Sequence, residues 1–150
     1  MITLESATKV GESVTLWQFR NDVAIRRELG WKAISYIDCV DWISRMSNML
    51  FLVHDDKIGD VGFVMFEDVE DDRLIMVGIG SAFRSKGYGK QAIRLATEKG
   101  IARGKRLKAN IRSENYKALF AFESAGYKEV LTVKDGQHEY VIFEYTNAKI

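Results

Sequence analysis

Between Leu74 and Gly100 an apolar run, a turn with two glycines and an amphipathic segment follow one another without a break, and no other stretch restricts the fold as much. Leu74-Ile75-Met76-Val77-Gly78-Ile79-Gly80 reads as a buried strand, and Gln91 to Gly100 has the apolar spacing of a helix. Between them lies Arg84-Ser85-Lys86-Gly87-Tyr88-Gly89-Lys90. A strand that feeds a glycine-bearing turn and then a helix N-terminus is an anion site: backbone N–H groups converge there and the helix dipole favours negative charge. Gly87 and Gly89 let the backbone approach a phosphate with no Cβ in the way. Arg84, Lys86 and Lys90 add charged donors suited to phosphate oxygens.

Three phosphate-binding patterns compete for this turn. A Walker A loop fails, because Arg84 stands where its first glycine belongs and Gln91 replaces its Ser or Thr. A dinucleotide fingerprint is matched formally by Gly87, Gly89 and Ala92, but the next strand, Leu107 to Ile111, ends without the acidic residue that would take a ribose hydroxyl. The third pattern, [RQ]xxGx[GA], is matched by Arg84, Gly87 and Gly89 and resembles the acetyl-CoA pyrophosphate loop of the Gcn5-related N-acetyltransferase (GNAT) family.

The remaining elements read in order. Ile2 to Ser6 alternates like a short strand, and Ser13 through Arg27 reads as one helix closed by Gly30. A second helix is expected over Asp38 to Met49, with Asp38 as its cap. Strand-like runs follow at 49–53, 58–66 and 74–80, joined closely enough for an antiparallel meander, with the acidic segment Glu67 to Asp72 as a turn. The helix at 87–102 packs Ala92, Ile93 and Ala96 inward and points Lys90, Arg94 and Glu98 outward. A strand at 106–111, a helix near 115–124 and strands at 127–133 and 138–145 complete the chain, with Asp135-Gly136 marking the last hairpin.

The order β-α-α-β-β-β-α-β-α-β-β is that of the acetyltransferase fold, so the resemblance extends over most of the chain. A second stretch carries it: Asn115, Ala118, Phe122, Gly126 and Tyr127 match the family's spacing N-x2-A-x3-[YF]-x3-G-[FY]. The resemblance implies an α/β fold (mixed, α+β-like), one acetyltransferase domain over 1–150, with a central, mostly antiparallel sheet splayed at a cofactor slot. Leu16 to Asp22 also looks like the W-R-N-D stretch of a branch acting on ribosomal proteins, amino sugars and sugar nucleotides, with Phe19 in the Trp position.

Composition fits this reading. With 150 residues, 47% of them hydrophobic and 29% charged, the chain suits a domain that buries roughly 68–70% of its unfolded surface. Lys+Arg at 22 against Asp+Glu at 21 gives no basic field for nucleic acid. The single cysteine, Cys39, excludes an internal disulfide and a multi-cysteine metal site, and its apolar-periodic setting makes it a packed thiol. No signal-peptide layout and no apolar run near the ~20 residues of a membrane span are present, so a cytoplasmic protein without a membrane partner is expected.

Carried over residue by residue, the resemblance implies direct acetyl transfer from acetyl-CoA to an amine, without a metal. Arg84, Ser85, Lys86, Gly87, Tyr88, Gly89 and Lys90 would hold the pyrophosphate. The backbone of Val77, Gly78 and Ile79 would pair with pantetheine. A backbone N–H near Val77 would polarise the thioester, and Asn115 would lie near the thiol end. A bulge at Gly78 and Gly80 would splay the strand. Phe122 stands where family members often have a tyrosine that protonates the leaving thiolate; it has no proton to give, which leaves open a second reading as an acyl-CoA-binding regulatory module. Tyr116 and Glu67 are candidates for proton transfer, with Asp68, His54 or a water chain as other bases. Acceptor selection would come from the first two helices, their connection (Trp31, Lys32, Ser35, Tyr36) and the hairpins at 67–72 and 134–138. The acidic hairpin would favour a cationic acceptor. The resemblance implies as acceptor an amine of a small molecule, amino sugar or protein N-terminus, and a homodimer is left open.

Overall fold

Strands β2 (Leu50–Asp55) and β3 (Gly59–Val69) are buried on both faces, which fixes the layering. Leu50, Leu52, Phe63 and Met65 point into one core, and Phe51, Val53, Val64 and Phe66 point into the other. Burying such side chains contributes about 1.5–3 kcal/mol each, so helices must cover both sides. The computed structural model describes residues 1–7, 12–46 and 49–146. Its seven-stranded sheet has the order β1-β2-β3-β4-β5-β7-β6, the others being β1 (Ile2–Ser6), β4 (Asp72–Ile79), β5 (Arg106–Arg112), β6 (Tyr127–Asp135) and β7 (His138–Tyr145). All neighbours are antiparallel except β4 and β5, which run parallel. The mixed α/β class and the mostly antiparallel sheet are as the sequence leads one to expect.

Helices α1 (Ser13–Arg20), α2 (Val23–Leu29) and α3 (Tyr36–Met46) cover one face. Helices α4 (Tyr88–Gly100) and α5 (Tyr116–Ser124) cover the other, with Ala92, Ile93 and Ala96 buried and Lys90, Arg94 and Glu98 exposed. At β5 and β7 the core side chains are those of that second face: Leu107, Ala109, Ile111, Val141 and Phe143.

Several local expectations are corrected. The helix expected over Ser13–Arg27 is two helices, because Asp22 accepts from the N–H groups of Ala24 and Ile25 and so begins a new one. Asn21 clamps the break, accepting from Ile34 N–H at 2.8 Å and donating to the carbonyls of Trp17 and Ile34. Helix α3 starts at Tyr36 and its cap is Ser35, whose Oγ accepts from Asp38 N–H at 3.1 Å; Asp38 lies in the first turn instead. Residues 47 and 48 of the expected helix lie outside the described residues. The acidic segment is mostly strand: Glu67 to Val69 end β3, Asp72 begins β4, and only Glu70 and Asp71 turn. The bulge expected at Gly78 and Gly80 is absent from the β3–β4 ladder, which runs without a register shift from Gly62↔Ile79 to Val69↔Asp72. Those glycines serve close packing: a Cβ on Gly78 would meet Phe63 at 2.8 Å, and one on Gly80 would meet Phe19 at 2.9 Å.

Candidate functional site

The parallel ladder between β4 and β5 is short. It holds the pairs Asp72↔Arg106, Arg73↔Leu107 and Leu74↔Lys108, and from Ile75 onward the facing edge of β4 has no strand partner among the described residues. A cavity of about 550 Å³ occupies the resulting cleft. Ile75, Val77 and Ile79 form one wall, Asn110 and Ile111 the other, and Ala118, Ala121 and Phe122 of α5 close it. The size suits a small-molecule or cofactor site, and the largely apolar lining suits an extended, partly aliphatic ligand.

The turn predicted to bind anions lies at one end of this slot. Ser85 and Gly87 have left-handed backbones, φ 63° and 83°, and no side chain caps α4, so the first-turn amides are left for a ligand. A positive φ at a non-glycine residue costs of order 1–3 kcal/mol and persists where the surroundings hold it. A Cβ built on Gly89 meets nothing within 4 Å, so that side of the loop faces open space. Tyr88 anchors the loop from below: its buried hydroxyl donates to Asp55 Oδ2 at 2.9 Å. Burial, and then the Asp55 carboxylate, push the phenol up, while the N–H of Lys57 and then the Tyr88 hydroxyl hold the Asp55 carboxyl down.

Arg84 is held within the protein. Its guanidinium grips Glu28 of α2 with two bonds of 2.6 and 2.8 Å, and its Nε donates to the Ile79 carbonyl at 2.8 Å. Just before it, a 3-10 turn at Ser81–Phe83 is tied to the N-terminus of α2, because Asp22 accepts from Ser81 N–H at 2.8 Å and from its hydroxyl at 2.7 Å. Burial alone would raise the Asp22 carboxyl; the bonds from Ser81, Ile25 and Ala24 outweigh it and hold the carboxyl below its ordinary range.

Of the residues singled out from sequence, Val77, Ile79, Arg84, Ser85, Gly87, Tyr88, Gly89, Lys90, Asn115 and Phe122 line the slot. Gly78 and Lys86 do not; Gly78 faces Phe63 and Ile25 on the other side of the sheet. Asn115 caps α5, accepting from Ala118 N–H at 3.3 Å. Phe122 lies edge-on to Tyr127 at 5.0 Å and stacks on Phe143 at 6.3 Å. Tyr116 is 77% exposed, and neither it nor Glu67 lines the slot. His54 is bound to Asp60 at 2.9 Å, also outside it, and that bond pushes its imidazole up.

The slot also takes residues that sequence reasoning passed over: Glu28, Phe83, Lys117 and Phe120. Phe120 is 60% exposed with Lys90 Nζ 4.8 Å from its ring centre, and an exposed aromatic on a helix beside basic residues was a readable signal. Trp31 is already engaged within the protein. It is stacked on Phe63 at 5.6 Å, and the Arg20 guanidinium lies 3.9 Å from its ring centre. Tyr36 is bound to Ser13 at 2.8 Å and packs edge-on against Trp17.

Known proteins share this fold. A model of the acetyltransferase (GNAT) family matches residues 16–127. No curated protein matches the chain. Among solved structures, a spermidine N-acetyltransferase from Vibrio cholerae, in complex with CoA and spermine, is similar at 15% identity and a TM-score of 0.83, over 95% of this chain and 94% of that one. An acetyltransferase (GNAT family) from Bacillus anthracis is similar at 14% identity and a TM-score of 0.79, over 95% and 93%. An aminoglycoside acetyltransferase, in complex with coenzyme A and kanamycin, is similar at 14% identity and a TM-score of 0.75, over 97% and 94%. At these identities the likeness is one of fold.

Proposed function

The chain belongs to the acetyltransferase (GNAT) family, and on that premise we propose that it moves an acetyl group from acetyl-CoA directly to a primary amine of a small molecule, amino sugar or protein N-terminus, with the slot between β4 and β5 as its cofactor site. The observation that carries this reading is the uncapped start of α4, with left-handed Ser85 and Gly87, opening onto an apolar cleft of about 550 Å³.

Backbone amides from Ser85 to Gly89 bind the pyrophosphate, and Lys90 adds charge at the same end. Arg84 acts through its hold on Glu28 and Ile79, keeping the loop's first residue in place. The unpartnered edge of β4 pairs with pantetheine through the backbone near Val77, Gly78 and Ile79, so that few side chains are needed. Acetyl-CoA supplies an activated thioester; the chain supplies position and a backbone N–H near Val77 aimed at the carbonyl oxygen. Asn115 and Phe122 border the slot beside α5. Phe122 donates no proton, so CoA leaves as its thiolate, which for a thiol of pKa ~8.5 needs only modest help, and takes its proton from water. The acceptor's ammonium gives its proton to water, since neither Glu67 nor Tyr116 reaches the slot.

Two measurements test the reading. Release of free CoA from acetyl-CoA against a panel of amines is expected with at least one amine, and its absence throughout would favour the acyl-CoA-binding module. Calorimetry with Gly89→Glu, which puts a negative charge into the open side of the loop, is expected to abolish CoA binding while the fold survives. A folded variant with wild-type affinity would remove the site assignment.

A further inference from the structure

The sheet ends at β1 on one side and at β6 on the other, and β6 is the longer edge. Every residue from Lys128 to Asp135 is exposed, among them Val130 at 52%, Leu131 at 57% and Val133 at 37%. On the side away from β7, the backbone N–H and C=O groups of β6 meet no strand among the described residues. Such an edge is a template for another strand.

A bulge sorts its side chains. The β6–β7 register steps from Glu129↔Phe143 to Leu131↔Ile142, so Val130 is the extra residue. Directly opposed side chains share a face. Lys128↔Glu144, Leu131↔Ile142, Val133↔Tyr140 and Asp135↔His138 therefore put Lys128, Leu131, Val133 and Asp135 together. Glu129↔Phe143, Thr132↔Val141 and Lys134↔Glu139 put Glu129, Thr132 and Lys134 on the opposite face, that of the core under α4 and α5. Without the bulge, Lys128 and Asp135 would fall on opposite faces.

The charges then read positive, negative at Lys128-Glu129 and again positive, negative at Lys134-Asp135. That order is complementary to itself when the strand meets an antiparallel copy. A two-fold axis at Thr132 sets Lys128 against Asp135, Glu129 against Lys134 and Leu131 against Val133, each pair on one face, with Thr132 facing its own copy. Opposed Cβ atoms lie ~4.5–5.5 Å apart, within reach of an ion pair. Neighbouring axes fail. At Leu131, Lys128 would face Val133 and Glu129 would face Thr132; at Val133, Asp135 would face Leu131 and Lys134 would face Thr132. None of the four charged side chains forms an ion pair among the described residues. An edge kept solvated only to prevent pairing needs charges but no particular order of sign.

We propose that β6 is a homodimer interface, in which two copies of the chain pair edge to edge and antiparallel about a two-fold axis at Thr132, joining their two sheets into one. The interface is isologous, so each ion pair occurs twice. On one face Leu131 and Val133 of both copies form an apolar cluster between the outer ion pairs of Lys128 with Asp135. On the other, Glu129, which accepts from the Thr132 hydroxyl at 2.7 Å, meets Lys134 of the second copy. The inference is independent of the slot between β4 and β5.

The test is sedimentation equilibrium of the full chain from micromolar to sub-millimolar protein at low salt. Wild type is expected to form a dimer. Lys134→Glu and Glu129→Lys, both at exposed positions, each turn two attractive contacts into repulsive ones and are expected to raise the dimer dissociation constant at least about tenfold. Mixed in equal amounts, the two variants are expected to dimerise with each other. Glu129 of the first then meets Lys134 of the second, and the two introduced charges meet with opposite sign. Circular dichroism checks that both variants are folded, and Lys128→Asp mixed with Asp135→Lys repeats the experiment on the outer pair. A wild type that stays monomeric would overturn the proposal and leave these charges as edge protection alone. So would a dimer that both variants keep, which would place the interface elsewhere, or folded variants that lose the dimer and do not regain it on mixing.

Discussion

Arg84 and Glu28, 56 residues apart, form a two-pronged ion pair, Nη2 to Oε1 at 2.6 Å and Nη1 to Oε2 at 2.8 Å, that fastens the start of the anion loop to α2. Both side chains are 31% exposed, so losing one partner should cost about 1–2 kcal/mol, between the values for exposed and buried pairs. Arg84→Ala and Glu28→Gln are each expected to weaken CoA binding by roughly tenfold, and the double variant no more than the worse single one. Calorimetry on the four proteins checks this. Additive losses would mean that Arg84 acts on the phosphate independently of Glu28.

Asp22 joins α2 to the turn before the loop, and its charge is part of the joint. A carboxamide in its place would set an amide donor against the Ser81 N–H, so Asp22→Asn should destabilise by about 1–3 kcal/mol. The folded carboxyl titrates below its unfolded value, so the wild-type advantage is fully present above the ordinary Asp range and is lost as the pH falls through the lowered folded value. Thermal unfolding of both proteins from neutral pH into acid should show the two curves converging below about pH 4. A gap independent of pH would show that the charge contributes nothing.

Phe122→Tyr asks whether the missing phenol can be restored. The ring is 3% exposed and packs against Tyr127 and Phe143 at the border of the slot. The new hydroxyl is expected to be buried without a partner, costing about 1–3 kcal/mol, with the pH dependence of kcat unchanged. Denaturant unfolding and a pH–rate profile decide it. A stable variant whose high-pH limb moves would instead put the hydroxyl in the slot as a working acid.

The hairpin at 67–72 lies at the joined end of β4 and β5, and much of its charge is already answered. Asp68 is bound by Arg73 at 2.7 and 3.1 Å, and Asp72 by Arg106 at 2.8 Å and Lys108 at 3.3 Å. Glu67→Gln and Glu70→Gln are therefore expected to leave acceptor kcat/KM and its salt dependence unchanged. A raised acceptor KM confined to low salt would return this hairpin to the acceptor site.

Gly62 shows how tightly the sheet beside the slot is built. A Cβ there would lie 2.1 Å from the Gly78 carbonyl oxygen, a backbone atom that cannot step aside without moving β4. Gly62→Ala is expected to lower both thermal stability and CoA affinity. Loss of stability with unchanged affinity would mean that the shift of β4 stops short of the slot.

The sequence by itself determined what depends on near neighbours. Apolar runs became strands, and the spacing of Ala92, Ile93 and Ala96 became the buried face of α4, because side-chain period acts within a turn or two of chain. The same locality placed the loop at 84–89 and Asn115 at the starts of helices, and both line the cleft. It misled at Asn21-Asp22, where an unbroken helical period hid a break held by Ile34 and Ser81. The tertiary structure alone decided that β4 and β5 part after Leu74, that Arg84 is held by Glu28, and that Trp31 is stacked on Phe63 with the Arg20 guanidinium over its ring. Each joins segments well separated along the chain, and the partner of a charge or a ring is chosen by where the packed layers bring it, which no local spacing records.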